Sequence, residues 1–410
     1  MRRDGNGRPR ILTFLPEFLP GERAGGRVQS VAGILESLEA EFDFQVVTSH
    51  RDLGERDPLP GVEPNVWGQR YCGRVLYLPG RKPSMRRIVE ILRKEEFDLI
   101  YLNSVFSRRF SMLPLSVWRT GGTKHVPLVL APRGEFSPGA LALKRRRKAA
   151  YLAMARRVRL YSGVRWHASS PMEEQDICRV MGTQGVGNAA QGNDGRTSVM
   201  VALDLAKSRP TSSAGNWPAK RKGALSIVFL SRVSPKKNLD GALRMLDGLR
   251  GDVTFTIFGP LEDARYWNGC QRQIRALGTN ILARYGGIVP HAEVEEVFRK
   301  ADLFLFPTHG ENFGHVILEA LAAGCPALIS DDTPWRGLEA ARAGWEFPLN
   351  EADRFTRTLQ ECIDMSPEEF NELRLGAREH GLRYFRDETL ITQSRDLFLA
   401  ALEAGGSRVL

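Results

Sequence analysis

The sequence predicts an α/β protein of two doubly wound domains, and three observations carry that expectation. The chain has 410 residues, too many for one ordinary domain. Short apolar runs alternate with helix-patterned stretches along it, the signature of parallel sheets covered by helices. The alternation breaks over a polar, proline-containing stretch, Lys207 to Gly223, and then begins again.

In the first half the apolar runs are Ile11 to Leu15, Phe44 to Val47, Val75 to Leu78, Leu99 to Leu102, Pro127 to Leu130 and Val199 to Leu203. Between the first two, Gly26 to Phe42 carries Val28, Val31, Ile34, Leu35 and Leu38 at helical spacing. A strand, a glycine-containing loop and a helix in that order open a Rossmann-like domain. Thr183 to Arg196, rich in Gly, Asn and Gln and without periodicity, reads as a surface loop. The second series has strands at Ser226 to Leu230, Thr254 to Phe258, Ile281 to Tyr285, Leu303 to Phe306 and Ala327 to Ser330. Its helices are expected over Leu239 to Leu249, Glu293 to Arg299 and His315 to Ala323, and the chain is helical by pattern from Asp353 onward. The domains are therefore expected at 1–205 and 225–387, joined by a linker at 206–224. The last helix, about Glu388 to Leu402, has an apolar face (Leu390, Ile391, Leu397, Phe398, Leu402) too large for a free tail. The architecture repeats, but no sequence repeat is found.

Composition narrows the class. With 42% hydrophobic and 26% charged residues the chain is globular, not disordered or fibrous. No apolar run approaches the ~18 residues that span a bilayer, and no apolar signal core follows the basic Met1 to Arg10, so a cytoplasmic location is expected. Cys72, Cys178, Cys270, Cys325 and Cys362 are odd in number and form no CxxC pair, which points to buried thiols, not a zinc site or disulfide framework.

The net charge of +10 is unevenly placed. Residues 1–205 hold 32 basic against 21 acidic side chains, and the remainder 26 against 27. An anionic membrane surface, an acidic acceptor and nucleic acid are the candidate partners of such a half. The stretch Lys144-Arg-Arg-Arg-Lys148 through Leu160 is basic and helix-favouring, with Tyr151, Leu152, Met154, Ala155 and Val158 as apolar positions. Its plain reading is a solvated helix over a core. Its functional reading is reversible electrostatic attachment to anionic lipid.

Two clusters carry chemistry. The first is Pro307-Thr-His-Gly-Glu-Asn-Phe-Gly-His-Val-Ile-Leu-Glu319, a strand end, a polar loop and a helix beginning near Gly314. Helix N-termini suit phosphate or sugar hydroxyls, and the carboxylates of Glu311 and Glu319 are acceptors for such hydroxyls. Singly, Glu311 reads as a loop charge and Glu319 as a solvated helical residue. The second cluster is Ser231-Arg-Val-Ser-Pro-Lys-Lys-Asn238, where Arg232 and Lys237 put fixed cations at a strand's carboxyl end, suited to a diphosphate leaving group.

Together these segments resemble the retaining glycosyltransferases of family GT4. In that family a Gly-Arg-x4-Lys segment precedes, by some seventy residues, a Glu-x7-Glu pair in a Glu-Gly-Phe-Gly context. Arg232 and Lys237 match the first, with Ser231 in place of Gly, and Glu311 and Glu319 the second, with Asn312 before Phe313-Gly314. Ile257-Phe-Gly-Pro260 and Tyr285-Gly-Gly-Ile-Val-Pro290 lie between them in the expected order. Pro20-Gly-Glu-Arg-Ala-Gly-Gly26 resembles the family's glycine loop, and Ala131-Pro-Arg-Gly-Glu135 stands where many relatives carry His-Gly, with Arg133 at the His position. His167, in Trp166 to Glu174, reads as a structural residue.

The resemblance implies the GT-B fold: two Rossmann-like domains facing across a cleft, with the helix 388–403 crossing back to the N-terminal, acceptor-binding domain. It implies a metal-independent, cofactor-free hexosyl transfer from a nucleotide-sugar, UDP first and GDP next, to a hydroxyl of a saccharide or lipid-linked acceptor. The setting would be cell-surface polysaccharide or glycolipid synthesis. Arg232 and Lys237 would neutralise the departing diphosphate, and Glu319 would accept from the ribose. Glu311 with Asn312, Phe313, Gly314 and His315 would hold the donor sugar, as would Gly25 and Gly26. Arg133 would meet an anionic sugar or acceptor, or pair with Glu135. An inactive GT-B-shaped binding protein is one alternative. A nucleic-acid-binding protein is another, but no binding motif or stacking series accompanies the basic charge. An NAD-dependent oxidoreductase lacks its Gly-x-Gly-x-x-Gly, and a phosphorylase lacks any mark of a pyridoxal-phosphate lysine.

Overall fold

The computed structural model describes residues 7–21, 23, 25–80, 82–123, 126–182, 198–206 and 217–406. The loop expected at Thr183 to Arg196 lies outside the described residues, as does most of the linker. The chain divides into two compact units, Met1–Lys207 with Glu388–Leu410, and Ser208–Asp387.

The first unit is built on β1 (Arg10–Phe14), β2 (Asp43–Ser49), β3 (Trp67–Arg70), β4 (Gly73–Leu78), β5 (Leu99–Asn103), β6 (Leu128–Ala131), β7 (Arg165–Ala168) and β8 (Ser198–Val201). They lie in the order β3-β4-β2-β1-β5-β6-β7-β8. Every pair is parallel except β3 with β4. Register is set early, because Ile11 stands beside Phe44 on one side and Leu99 on the other. Every residue of β5 and β6 is buried, as continuous apolar runs covered on both faces require. The helix Gly26–Leu38 buries the five positions picked out by periodicity. The helix Glu388–Gly406 belongs to this unit, as the resemblance implies. Its Phe398 is fully buried, with ring centroids 5.6, 6.0 and 5.2 Å from Phe42, Phe44 and Tyr101, and Arg395 pairs with Glu41 at 2.9 Å.

The second unit holds β9 (Ala224–Leu230), β10 (Asp252–Phe258), β11 (Ile281–Gly287), β12 (Leu303–Phe306), β13 (Ala327–Ser330) and β14 (Gly344–Phe347). All pairs are parallel, in the order β11-β10-β9-β12-β13-β14. The order reverses between β9 and β12, which opens the crevice where doubly wound sheets take their ligands. The described end of the expected linker is not loose. Trp217 donates from Nε1 to the Ala323 carbonyl at 2.8 Å, and Lys220 reaches the Ile363 carbonyl at 3.4 Å. The helix Pro367–Arg386 braces the helix His315–Ala322 from behind. They touch at Gly381, where a methyl group would stand 2.4 Å from the Ala322 nitrogen.

Candidate functional site

The switch point of the second sheet gathers the residues of both sequence clusters. Beyond β9 the chain turns through a short 3₁₀ segment, Pro235–Lys237, into the helix Leu239–Leu246. Beyond β12 it runs as the polar loop Pro307 to Gly314. Three hydrogen bonds tie these two strand-end loops together: His309 N and Thr308 Oγ1 donate to the Lys236 carbonyl at 2.9 and 3.2 Å, and Asn238 Nδ2 to the Pro307 carbonyl at 2.8 Å. The tie brings Lys237 onto Glu311, 74 positions away, in a direct ion pair. Both side chains are largely buried, at 9% and 14% exposure, and the ammonium lies 5.3 Å from the Phe306 ring centroid. Burial alone would push the Glu311 carboxyl up. The charges of Lys237 and Lys236, with hydrogen bonds from Lys237 and Thr308, outweigh it and hold the carboxyl below its ordinary value. Arg232 is not part of this pair. It is exposed and bridges to Glu262 at 2.6 Å.

The helix His315–Ala322 starts at Gly314, whose φ of 85° suits glycine and whose Cβ would meet Ile317 Cδ1 at 2.9 Å. Its first-turn N–H groups emerge at the carboxyl end of the sheet. The loop before it is fixed by an aromatic group that sequence reasoning missed. Phe313 is buried, with its ring 4.7 Å from His315, 5.6 Å from Trp335 and 5.1 Å from Tyr384, and Trp335 Nε1 donates to the Phe313 carbonyl at 2.7 Å. Asn312 beside it is half-buried. Glu319, one turn into the helix, is not the solvated residue of the plain reading. Its side chain is 28% exposed, and burial pushes its carboxyl up to about 8. His291, first residue of the helix His291–Lys300, faces it with Nδ1 3.8 Å from Oε1. The only sequence signal for His291 was its position after the Gly-Gly-x-x-Pro segment.

In the first unit, Gly25 precedes the helix Gly26–Leu38 with φ of 61° and no neighbour that a Cβ would meet. Arg133 departs from expectation. Its side chain is 3% exposed, pairs with Asp204, and donates to Asn103 Oδ1 at 3.1 Å and the Tyr101 hydroxyl at 2.6 Å. It neither meets Glu135 nor offers a free cation to an anionic ligand; the guanidinium serves as buried scaffold. Tyr101 in turn contacts His167 Nδ1 at 2.8 Å, while His167 Nε2 lies 2.8 Å from the Ala202 carbonyl. A carbonyl only accepts, so Nε2 carries the proton and Nδ1 accepts from Tyr101. Burial and the Arg133 charge push the imidazole down to about 3, which makes it a neutral structural residue. Glu135 instead accepts from Ser104 Oγ at 2.9 Å and from the Val105 and Phe106 nitrogens at 2.6 and 3.0 Å. Arg27 stands 3.8 Å from Glu135 and 2.8 Å from Glu17. The basic helix Arg145–Arg157 buries only Leu152 and Ala155, and two residues expected to face a core are exposed, Met154 at 51% and Val158 at 56%. No helix among the described residues is long and apolar enough to cross a membrane, and none of them form a group of three or more metal-ligating side chains.

Residues 217–380 match the family described as glycosyl transferases group 1. A glycogen synthase of Mycobacterium tuberculosis is 30% identical over 125 residues, which are 29% of this chain and 30% of that protein. A D-inositol 3-phosphate glycosyltransferase of Streptomyces avermitilis is 27% identical over 199 residues, 45% of this chain and 42% of that protein. The chain thus spans less than half the length of these curated relatives. Among solved structures, sucrose-phosphate synthase from Thermosynechococcus elongatus superposes with a TM-score of 0.67 at 18% identity, over 97% of this chain and all of the other. Anabaena HepE in complex with UDP-glucose gives 0.67 at 16%, over 96% and 100%. The fold is GT-B, and residues 217–380 are similar to the glycosyl transferases of group 1.

Proposed function

We propose that this chain is a retaining, metal-independent glycosyltransferase that moves a hexose from a nucleotide-sugar, a UDP-sugar first, to a hydroxyl of a saccharide or glycolipid. The observation that carries the reading is the Lys237–Glu311 pair, held at the switch point of the second sheet beside the N-terminus of the helix bearing Glu319. A buried ammonium there is a fixed charge for a diphosphate leaving group, and the helix N-terminus adds oriented N–H donors. Arg232, exposed and bridged to Glu262, exchanges that partner for phosphate. Glu319 accepts from the ribose, and Glu311 with the Asn312 to His315 backbone meets the donor sugar. The similarity to HepE, whose structure holds UDP-glucose, supports UDP as the carrier.

The first unit takes the acceptor in this reading, with Glu135 as a contact for acceptor or donor sugar, while Gly25 and Gly26 meet the donor. The helix Arg145–Arg157 supports an anionic membrane as the place where that acceptor is met. It carries Arg145, Arg146 and Arg147 exposed, next to Leu143 at 66% exposure. Each basic residue at such a surface contributes ~1 kcal/mol. The test of class is calorimetry of UDP, GDP and ADP and their sugars with EDTA present. Saturable binding of one nucleotide family supports the proposal, and no binding in any series overturns it.

A further inference from the structure

The pair His291 and Glu319 has a consequence beyond ribose recognition, although it rests on that reading. His291 is the first residue of the helix His291–Lys300 and Glu319 lies one turn into the helix His315–Ala322, and the two helices pack together. The 3.8 Å between Nδ1 and Oε1 is about 1 Å longer than a hydrogen bond, so a small side-chain rotation closes it. We propose that His291 is a positioning residue that takes the proton Glu319 must give up when a nucleotide ribose binds.

The step balances simply. The Glu319 O–H bond breaks, its proton forms an N–H bond on the imidazole lone pair, and the pair becomes carboxylate and imidazolium. The carboxylate is then the double acceptor that two vicinal ribose hydroxyls need. No proton leaves for solvent, and the new imidazolium stabilises the carboxylate by charge.

The surroundings leave His291 as the partner for this step. Burial is the sole cause that shifts the Glu319 carboxyl, so no charged group on the elements packed against its helix acts on it. On the helix Pro367–Arg386, Arg374 pairs with Asp302 at 2.7 Å and Arg378 donates to the Ala322 carbonyl at 3.0 Å. His380 on the same helix stands with its ring 6.2 Å from Trp335, and burial with the Arg383 charge pushes its imidazole down. Glu311 in the preceding loop is paired with Lys237 of the 3₁₀ segment after β9. Burial holds the Glu319 carboxyl up at about 8, so near neutral pH the free site carries the proton in question.

The test is isothermal titration with UDP, and with GDP and ADP in parallel, between pH 6 and 9 in buffers of different ionisation heat. In the wild type, affinity should change less than about threefold between pH 6.5 and 7.5, with little net proton release. In His291→Gln the proton has no internal acceptor. Affinity should then fall about tenfold per unit as pH drops below about 8, with one proton released on binding. Glu319→Gln, alone or with His291→Gln, should bind weakly and independently of pH, since the proton donor is gone. A His291→Gln variant with the wild-type pH profile and proton count overturns the proposal while leaving the ribose reading intact. A Glu319→Gln variant that binds as tightly as wild type overturns both. The failure of any nucleotide to bind wild type at every pH overturns the nucleotide reading and this inference with it.

Discussion

Glu311→Gln is the sharpest probe of the switch-point pair. The substitution keeps the side-chain volume and an oxygen to accept from Thr308 Oγ1, 3.2 Å away, but deletes the charge facing Lys237. Stripping one partner from a buried pair costs ~3–5 kcal/mol, because the other charge stays out of water uncompensated. Here both side chains keep a little solvent access and the amide oxygen still accepts, so about 2–3 kcal/mol is expected at neutral pH. For a unit of this size that lowers Tm by roughly 4–12 °C. The pH dependence has a definite sign. A carboxyl held below its ordinary value contributes fully above the unfolded pKa of ~4.3, and the contribution is lost as pH falls through the lower folded value. The gap between wild type and variant should therefore be complete at pH 7 and close toward pH 3. Thermal unfolding followed by circular dichroism across that range reads it directly. UDP should narrow the gap at pH 7, since its diphosphate supplies the missing charge. A variant within about 0.5 kcal/mol of wild type at pH 7, or a gap undiminished at pH 3, refutes the account of the pair.

Four other expectations follow from the same structure. Lys237→Ala and Glu319→Ala should each abolish transfer with a folded circular-dichroism spectrum, losing on the order of 1.5–3 kcal/mol of ligand contact and more at the transition state; near-normal turnover in either would sink the assignment. Transfer should survive EDTA, and complete loss restored by Mg²⁺ or Mn²⁺ would contradict the role given to Arg232 and Lys237. Arg133→Met should leave Asp204 buried without its counter-charge and destabilise by ~3–5 kcal/mol, with nucleotide affinity in the folded fraction unchanged; a stable variant with altered nucleotide affinity would return Arg133 to the ligand site. At low salt the protein should float with anionic liposomes, and a variant with Arg145, Arg146 and Arg147 changed to Ser should not. Wild type that stays in the soluble fraction at every salt concentration ends the membrane reading.

The strands most legible in the sequence were those whose apolar runs are buried on both faces, such as β5 and β12, because a continuous run announces itself. Two edge strands went unseen. Trp67–Arg70 is short, half polar and antiparallel, and Gly344–Phe347 is four residues with a glycine at one end. The helix Ala264–Ala276 buries only Cys270, so its apolar periodicity is faint. At the site, Lys237 and Glu311 were legible by resemblance, but that they would hold each other was not. The pairing depends on hydrogen bonds between loops some seventy positions apart. Arg133 was misread for the same reason: its partner Asp204 lies 71 positions downstream, and nothing local signals a carboxylate arriving from β8.

The helix Glu388–Gly406 gives the protein an order of assembly as well as a shape. Its Phe398 fills the space among Phe42, Phe44 and Tyr101, so the unit built on β1 to β8 lacks a piece of its interior until residue 398 has been made. During synthesis residues 208–387 must be made in between, which at 5–20 residues per second takes roughly 10–40 s. For that interval the rings of Phe42, Phe44 and Tyr101 are without their Phe398 partner. The second unit, continuous in sequence, has no such wait. Filling that space therefore waits for residues beyond 387, and a chain cut short before residue 388 yields a first unit that cannot complete its core.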